Sequence, residues 1–128
     1  MVDASVLVAT LLSSGADGLW CEEVIGESFL LAPHLAIIET LDVLRRLELR
    51  GEVTALEAAS AQSELRLLDV ELLSIEPFAD RIWQLRHNLT CYDAWYVAIA
   101  EAFECPLATL DRPLSTAVGP RCEIRTPG

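Results

Sequence analysis

Apolar positions along the chain come in short runs separated by turn residues, and the runs alternate between strand-like and helix-like spacing. Met1-Val2 reads as a very short strand that ends at Asp3. Ser5 to Ser14 has the apolar density of a helix closed by Gly15 and Gly18, and a second short helix spans about Leu19 to Ile25 and stops at Gly26. Ser28 to Leu31 is a brief apolar strand stopped by Pro33, which then opens a long helix reaching Arg50, with Gly51 as its C-terminal stop. Thr54, followed three residues on by Glu57, forms a capping box for a helix to about Leu68. Val70 to Ile75 reads as a strand, Pro77 starts a helix to Asn88, and Thr90 caps another to Glu104. Leu107 to Leu110 and Cys122 to Arg125 are the last strands. Such alternation predicts an α/β fold with a central parallel sheet covered on both faces, as a single domain over residues 1–128.

That expectation gives certain acids a common address, because sites in open parallel sheets form beyond the carboxyl ends of the strands. Asp3 follows the first strand directly and Asp111 follows the strand at Leu107 to Leu110. Asp93 lies in the first turn of its helix, and helix N-termini in this architecture face the same edge. Glu39 lies about two turns into the helix that opens at Pro33. Carboxylates that converge repel one another, by about 4 kcal/mol for two unit charges ~4 Å apart at an effective dielectric of ~20. A cluster of them persists by taking up protons or cations, and hard divalent ions such as Mg²⁺ or Mn²⁺ are the natural partner. An ion of that kind polarises phosphoryl oxygens and activates water.

Each acid also has a purely structural reading. Asp93 completes the pattern Thr90-x-x-Asp93 of a capping box, Asp111 before Arg112-Pro113 suits a turn or helix cap, and Glu39 borders an apolar stripe with Ile37, Ile38 and Leu41. Asp3, set between Val2 and the run Val6 to Val8, is the hardest to explain as mere surface.

Composition narrows the chemistry. The 128 residues are 52% hydrophobic, which supports a packed core, and 20 acids against 9 bases leave a net charge of −11. Every base is Arg. Without Lys there is no Walker A loop, no Schiff-base enzyme and no receiver domain, and Ser5 stands where a haloacid-dehalogenase pattern needs its second Asp. So acidic a chain does not predict general nucleic-acid binding, which rewards a basic surface; it suits divalent cations or a basic protein partner. Cys21, Cys91, Cys105 and Cys122 form no C-x-x-C pair and are expected to be small buried thiols. The apolar run Val6 to Leu12 is short and lacks a basic flank, so neither signal peptide nor membrane span is expected, and the protein is read as soluble and cytoplasmic.

Taken together, these residues resemble the PIN-domain family and, within it, the VapC-like toxins of VapBC toxin–antitoxin pairs. The resemblance is carried by Val2-Asp3-Ala4-Ser5, by Ala32-Pro33-His34-Leu35 leading to Glu39 and Leu44-Arg45-Arg46, by Trp83 to Thr90 running into Tyr92-Asp93-Ala94 and Tyr96-Val97-Ala98, and by Thr109-Leu110-Asp111. It spans almost the whole chain, and the stretch from Trp83 to Glu101 is its most specific part. It implies a three-layer α/β/α sandwich, an acidic site for Mg²⁺ or Mn²⁺, hydrolysis of RNA, a cognate VapB-like antitoxin and a homodimer. Asp3, Glu39, Asp93 and Asp111 fall on the family's acidic quartet, with Asp3 and Asp93 the strongest metal-ligand candidates, and Ser5 and Thr109 fall on its small hydroxyl positions. The sequence departs from relatives that carry another acid close before the glutamate, since Ile37 and Ile38 stand there.

Other side chains are weighed beside the quartet. Arg46 and Arg50 each lie within about 20° of Glu39 on a helical wheel, which suits either a phosphate track for RNA or a solvated face with an Asp42–Arg46 pair. Arg86, seven residues before Asp93, is a further candidate phosphate contact. His34 and His87 read as helix-start and surface residues, and Trp83, Tyr92 and Trp95 as core or interface positions rather than base-stacking platforms. The competing functions are another Mg²⁺-dependent phosphohydrolase and a non-catalytic PIN-like binding module.

Overall fold

A computed structural model describes residues 1–12, 15–27 and 29–128. The first strand is reduced to one bridge, in which Val2 pairs in parallel with Ala108. Then come α1 (Ala4–Leu12), α2 (Gly15–Glu27), β1 (Leu30–Pro33), α3 (Leu35–Leu49), α4 (Ala55–Leu65) and β2 (Val70–Leu73). A 3₁₀ turn at Glu76–Phe78 leads into α5 (Ala79–Gln84), followed by α6 (Cys91–Ala102), β3 (Leu107–Ala108), α7 (Arg112–Ser115) and β4 (Ile124–Arg125).

β1 pairs in parallel with β2, and β3 with β4. The N-terminal residues join the two pairs: the Val2 N–H donates to Leu31 O at 3.3 Å, the Ala108 N–H to Met1 O at 2.9 Å and the Asp3 N–H to Ala108 O at 3.3 Å. The sheet order is therefore β2, β1, the N-terminal segment, β3, β4. From the first segment the chain winds one way to β1 and β2, then crosses over to β3 on the other side. The switch lies between Val2 and Ala108, where Asp3 and Thr109 leave the sheet. The helices pack as two sets, α1 with α2, α3 and α4, and α5 with α6, and α6 also lies against β1 and β3. α6 is the most deeply set, burying Ala94 and the run Tyr96 to Ala100.

Several boundaries differ from those read in the pattern. Gly18 does not end a helix: it is a buried position within α2, which Gly15, at φ +69°, opens, so α2 is longer than the expected Leu19 to Ile25. The expected ends at Ser14 and Ser28 lie outside the described residues. Pro33 closes β1 rather than opening α3; its missing N–H costs nothing there, because His34 supplies the next bond, to Leu73 O at 3.0 Å. The helix expected from Pro77 to Asn88 stops at Gln84 and tightens into turns. Gly119, at φ +115°, packs over those turns so closely that a Cβ would stand 3.2 Å from both Leu85 and Asn88 side chains. α4 ends at Leu65, three residues short of Leu68, and β2, β3 and β4 are shorter than their apolar runs. The capping box at Thr54 and Glu57 is formed in both directions, at 3.1 and 3.0 Å. Of the cysteines only Cys21 is buried; Cys105 and Cys122 are half-buried and Cys91 is exposed at the first position of α6. Among the described residues no single helix is long and apolar enough to cross a membrane.

Candidate active site

Asp3 is held in a cradle built by the two segments that meet at the switch point. The Ser5 hydroxyl and the Val6 N–H, the latter at 3.3 Å, donate to Asp3 Oδ1, and the Thr109 hydroxyl donates to Oδ2. Both hydroxyls are themselves fixed: Ser5 Oγ accepts the Leu110 N–H at 3.0 Å and Thr109 Oγ1 accepts the Asp111 N–H at 2.9 Å. Asp3 is only 9% exposed, and burial pushes its pKa up against the lowering effect of these donors.

The other acids arrive from three helices. Asp93 sits in the first turn of α6, its N–H donating to Thr90 Oγ1 at 3.2 Å, so Thr90 caps the helix while the Asp93 carboxylate does not return the bond that would complete the expected capping box. Burial raises its pKa, and the charges of Asp111 and Asp3 raise it further. Asp111 caps α7, accepting the Leu114 N–H at 3.2 Å. Glu39 projects from α3, and the Tyr96 hydroxyl donates to its Oε1 at 2.7 Å. Burial raises the pKa of Glu39, Tyr96 opposes the rise, and the charges of Asp93 and Asp3 add to it.

The four acids thus occupy one region and act on one another electrostatically, while the ion pairs of the described residues engage Asp42, Glu52, Glu101 and Glu123 instead. Among the described residues no three carboxylate, imidazole or thiol groups stand close enough to form a ready coordination shell. The donor set nevertheless fits a hard divalent ion: oxygens only, with Asp3 deeply buried, and three acids whose pKa values burial raises.

Tyr96, bonded to Glu39, is the candidate-site residue that the sequence reading did not single out. The arginines stand apart from the acids to different degrees. Arg46 pairs with Asp42 at 3.4 Å and lines the same groove as Glu39, whereas Arg50 pairs with Glu52 at 3.4 Å beyond the end of α3. Arg86 donates to Trp83 O at 2.7 Å and lies over the Trp83 ring, 4.4 Å from its centre. His34 and His87 are exposed. Trp95 packs against the core, but Trp83 and Tyr92 are each 62% exposed, which removes them from the core.

Residues 1–118 match the PIN domain family model. The chain belongs to the PIN-domain family. Within it, this PIN domain is VapC-like. It is 39% identical over 126 residues to ribonuclease VapC1 of Mycobacterium tuberculosis, covering 98% of this chain and 95% of that one. It is 38% identical over 124 residues to ribonuclease VapC9 of the same organism, covering 97% and 94%. Among solved structures it resembles PAE2754 from Pyrobaculum aerophilum, with a TM-score of 0.66 and 25% identity over 96% of this chain and 80% of that one. The α/β PIN fold expected from the sequence is therefore the observed one.

Proposed function

We propose that this PIN domain, acting as a single unit over residues 1–128, is a metal-dependent endoribonuclease toxin of a type II toxin–antitoxin pair. The observation that carries the reading is the electrostatic coupling of Asp93 to Asp3 and Asp111, and of Glu39 to Asp3 and Asp93, around an Asp3 buried in a hydroxyl cradle. The ribonuclease names of relatives that align over nearly the whole chain support it.

Asp3 and Asp93 would hold Mg²⁺ or Mn²⁺, with Glu39 and Asp111 beside them. When bound, the ion supplies charge neutralisation and Lewis acidity at a phosphodiester of single-stranded or looped RNA. Ser5 and Thr109 keep the Asp3 carboxylate from rotating. Tyr96 orients Glu39, whose burial-raised pKa suits it to accept a proton from the attacking water, and Asp111 helps to place that water. Water is the nucleophile because Ser5 Oγ is committed to Asp3 and Leu110.

An acidic site of this kind also accepts a basic side chain, and a VapB-like antitoxin would inhibit by inserting Arg or Lys where the ion or phosphate binds. High Mg²⁺ or Mn²⁺ should then weaken antitoxin affinity; an affinity independent of the ions contradicts the insertion. A homodimer is proposed on the exposed Leu49, Leu56 and Leu67, which lie on or beside α3 and α4, and light scattering that finds only monomer with and without antitoxin counts against it. The place of action is the cytoplasm, where RNA and antitoxin are made. The activity is tested by incubating purified protein with single-stranded RNA and Mg²⁺ or Mn²⁺: cleavage that stops with chelator and with antitoxin supports the reading, and ion-independent or absent cleavage opposes it.

A further inference from the structure

One face of α3 carries Leu35, Ile38, Glu39, Asp42, Val43 and Arg46, spaced as a single helical stripe, and it floors an open groove of about 320 Å³. Tyr92, 62% exposed, and Ala4, next to Asp3 in the chain, also line it. The groove is continuous with the acid cluster, since Glu39 belongs to both.

We propose that this groove is a nucleotide subsite, in which the base next to the scissile phosphate stacks on Tyr92 while Arg46 receives the adjoining phosphate. The inference rests on the ribonuclease reading of the acid cluster. Several observations favour a nucleotide over a helix or a second copy of the chain. The volume suits one small-molecule-sized unit. Its lining is part apolar, from Leu35, Ile38 and Val43, which suits a base, and part charged, from Glu39, Asp42 and Arg46, of which Arg46 alone is suited to a phosphate. Arg46 lies about 10 Å along the α3 axis from Glu39, a span that one nucleotide and an arginine side chain bridge. The Arg46–Asp42 contact is an exposed pair at 3.4 Å, weak enough for the guanidinium to turn to a phosphate. Single-stranded RNA is commonly held by such stacking, and every base has a face to offer. Base stacking on Tyr92 also accounts for an exposed aromatic ring immediately before a metal-ligand candidate.

The test is equilibrium binding of the oligoribonucleotides rA₅ and rU₅ in Ca²⁺ buffer, with the oligomer checked intact afterwards, beside cleavage of the same oligomers in Mg²⁺ or Mn²⁺. Tyr92→Ala should weaken rA₅ binding about 5- to 150-fold and rU₅ binding less, with an unchanged melting temperature, and Tyr92→Trp should restore it. Arg46→Gln should weaken both equally and lower the salt slope of binding by about 0.7. If Tyr92→Ala binds RNA as the parent does while the parent cleaves, the subsite is overturned and the ribonuclease reading stands. Loss of binding in Tyr92→Ala with a parent that does not cleave leaves the subsite and removes the ribonuclease reading. A parent that binds neither oligomer, or a Tyr92→Ala that loses only antitoxin affinity or self-association, overturns the subsite and gives the groove to a protein.

Discussion

Tyr96 and Glu39, 57 residues apart in the chain, meet at 2.7 Å through a hydrogen bond from the phenol hydroxyl to Glu39 Oε1. Tyr96 is 2% exposed, so its ring is fixed by the core of α6 and in turn fixes the acid. The bond favours ionised Glu39 against the burial that disfavours it. Tyr96→Phe should therefore raise the pKa of Glu39 and move the acidic limb of the pH–rate profile for RNA cleavage to higher pH. Stability should fall by only about 0.5–1.5 kcal/mol. An unmoved acidic limb would remove Glu39 from the proton-transfer role.

Asp3, Glu39 and Asp93 all have raised pKa values, chiefly from burial. The metal-free fold prefers them protonated, so their contribution to stability is full below the ordinary carboxylate range and is lost as pH rises through the raised values. The melting temperature without metal should accordingly fall as pH rises above the ordinary carboxylate range, and fall less in an Asp3→Asn control. Divalent ions should recover it at neutral pH and do little in acid. Calorimetry across pH, with chelator and with Mn²⁺, checks both signs.

Thr109 is 0% exposed and serves two masters, donating to Asp3 and accepting from the Asp111 N–H. Thr109→Val keeps the shape and strands both partners, so urea unfolding should show a loss of about 1–3 kcal/mol. Cleavage should fall as well, because Asp3 is freed to rotate.

Arg81 and Glu101 provide a control away from the chemistry. Arg81 reaches Glu101 with two nitrogens at 2.7 and 3.0 Å and also donates to Gly119 O at 3.0 Å, and Glu101 accepts the Arg121 N–H at 2.7 Å. Glu101 lies in the last turn of α6 and Asp93 in the first, so the pair pins the loop before β4 at the end of the helix remote from the acids. Arg81→Met should destabilise by about 2–4 kcal/mol by leaving Glu101 short of partners. The rate of RNA cleavage per folded molecule should stay near that of the parent.

That Asp3, Asp93 and Asp111 come near one another was legible because they sit where local patterns end: after apolar runs at Asp3 and Asp111, and after a capping threonine at Asp93. The Thr54 box and the Asp42–Arg46 pair were legible because both are set by spacing along one helix. The role of Tyr96 was not, because it depends on α6 facing α3, which no local spacing encodes. Nor was the two-sided pairing of Val2, which draws its bonds from β1 and β3 rather than from its own run. Pro33 read as a helix opener because proline favours that place, yet it also suits a strand end where no N–H is needed. The turns after Gln84 depend on Gly119 packing over them from a distant loop.

The most direct test of metal-dependent catalysis by the quartet is cleavage of single-stranded RNA by the Asp3→Asn, Asp93→Asn double variant across a Mn²⁺ titration. Asn keeps the shape at both positions, and at position 3 the Thr109 hydroxyl can turn to accept from the new amide. The double variant is expected to fold as well as the parent or better, because buried charge is removed, while ion-dependent cleavage is lost. Retained ion-dependent cleavage by the folded double variant would contradict the assignment of Asp3 and Asp93.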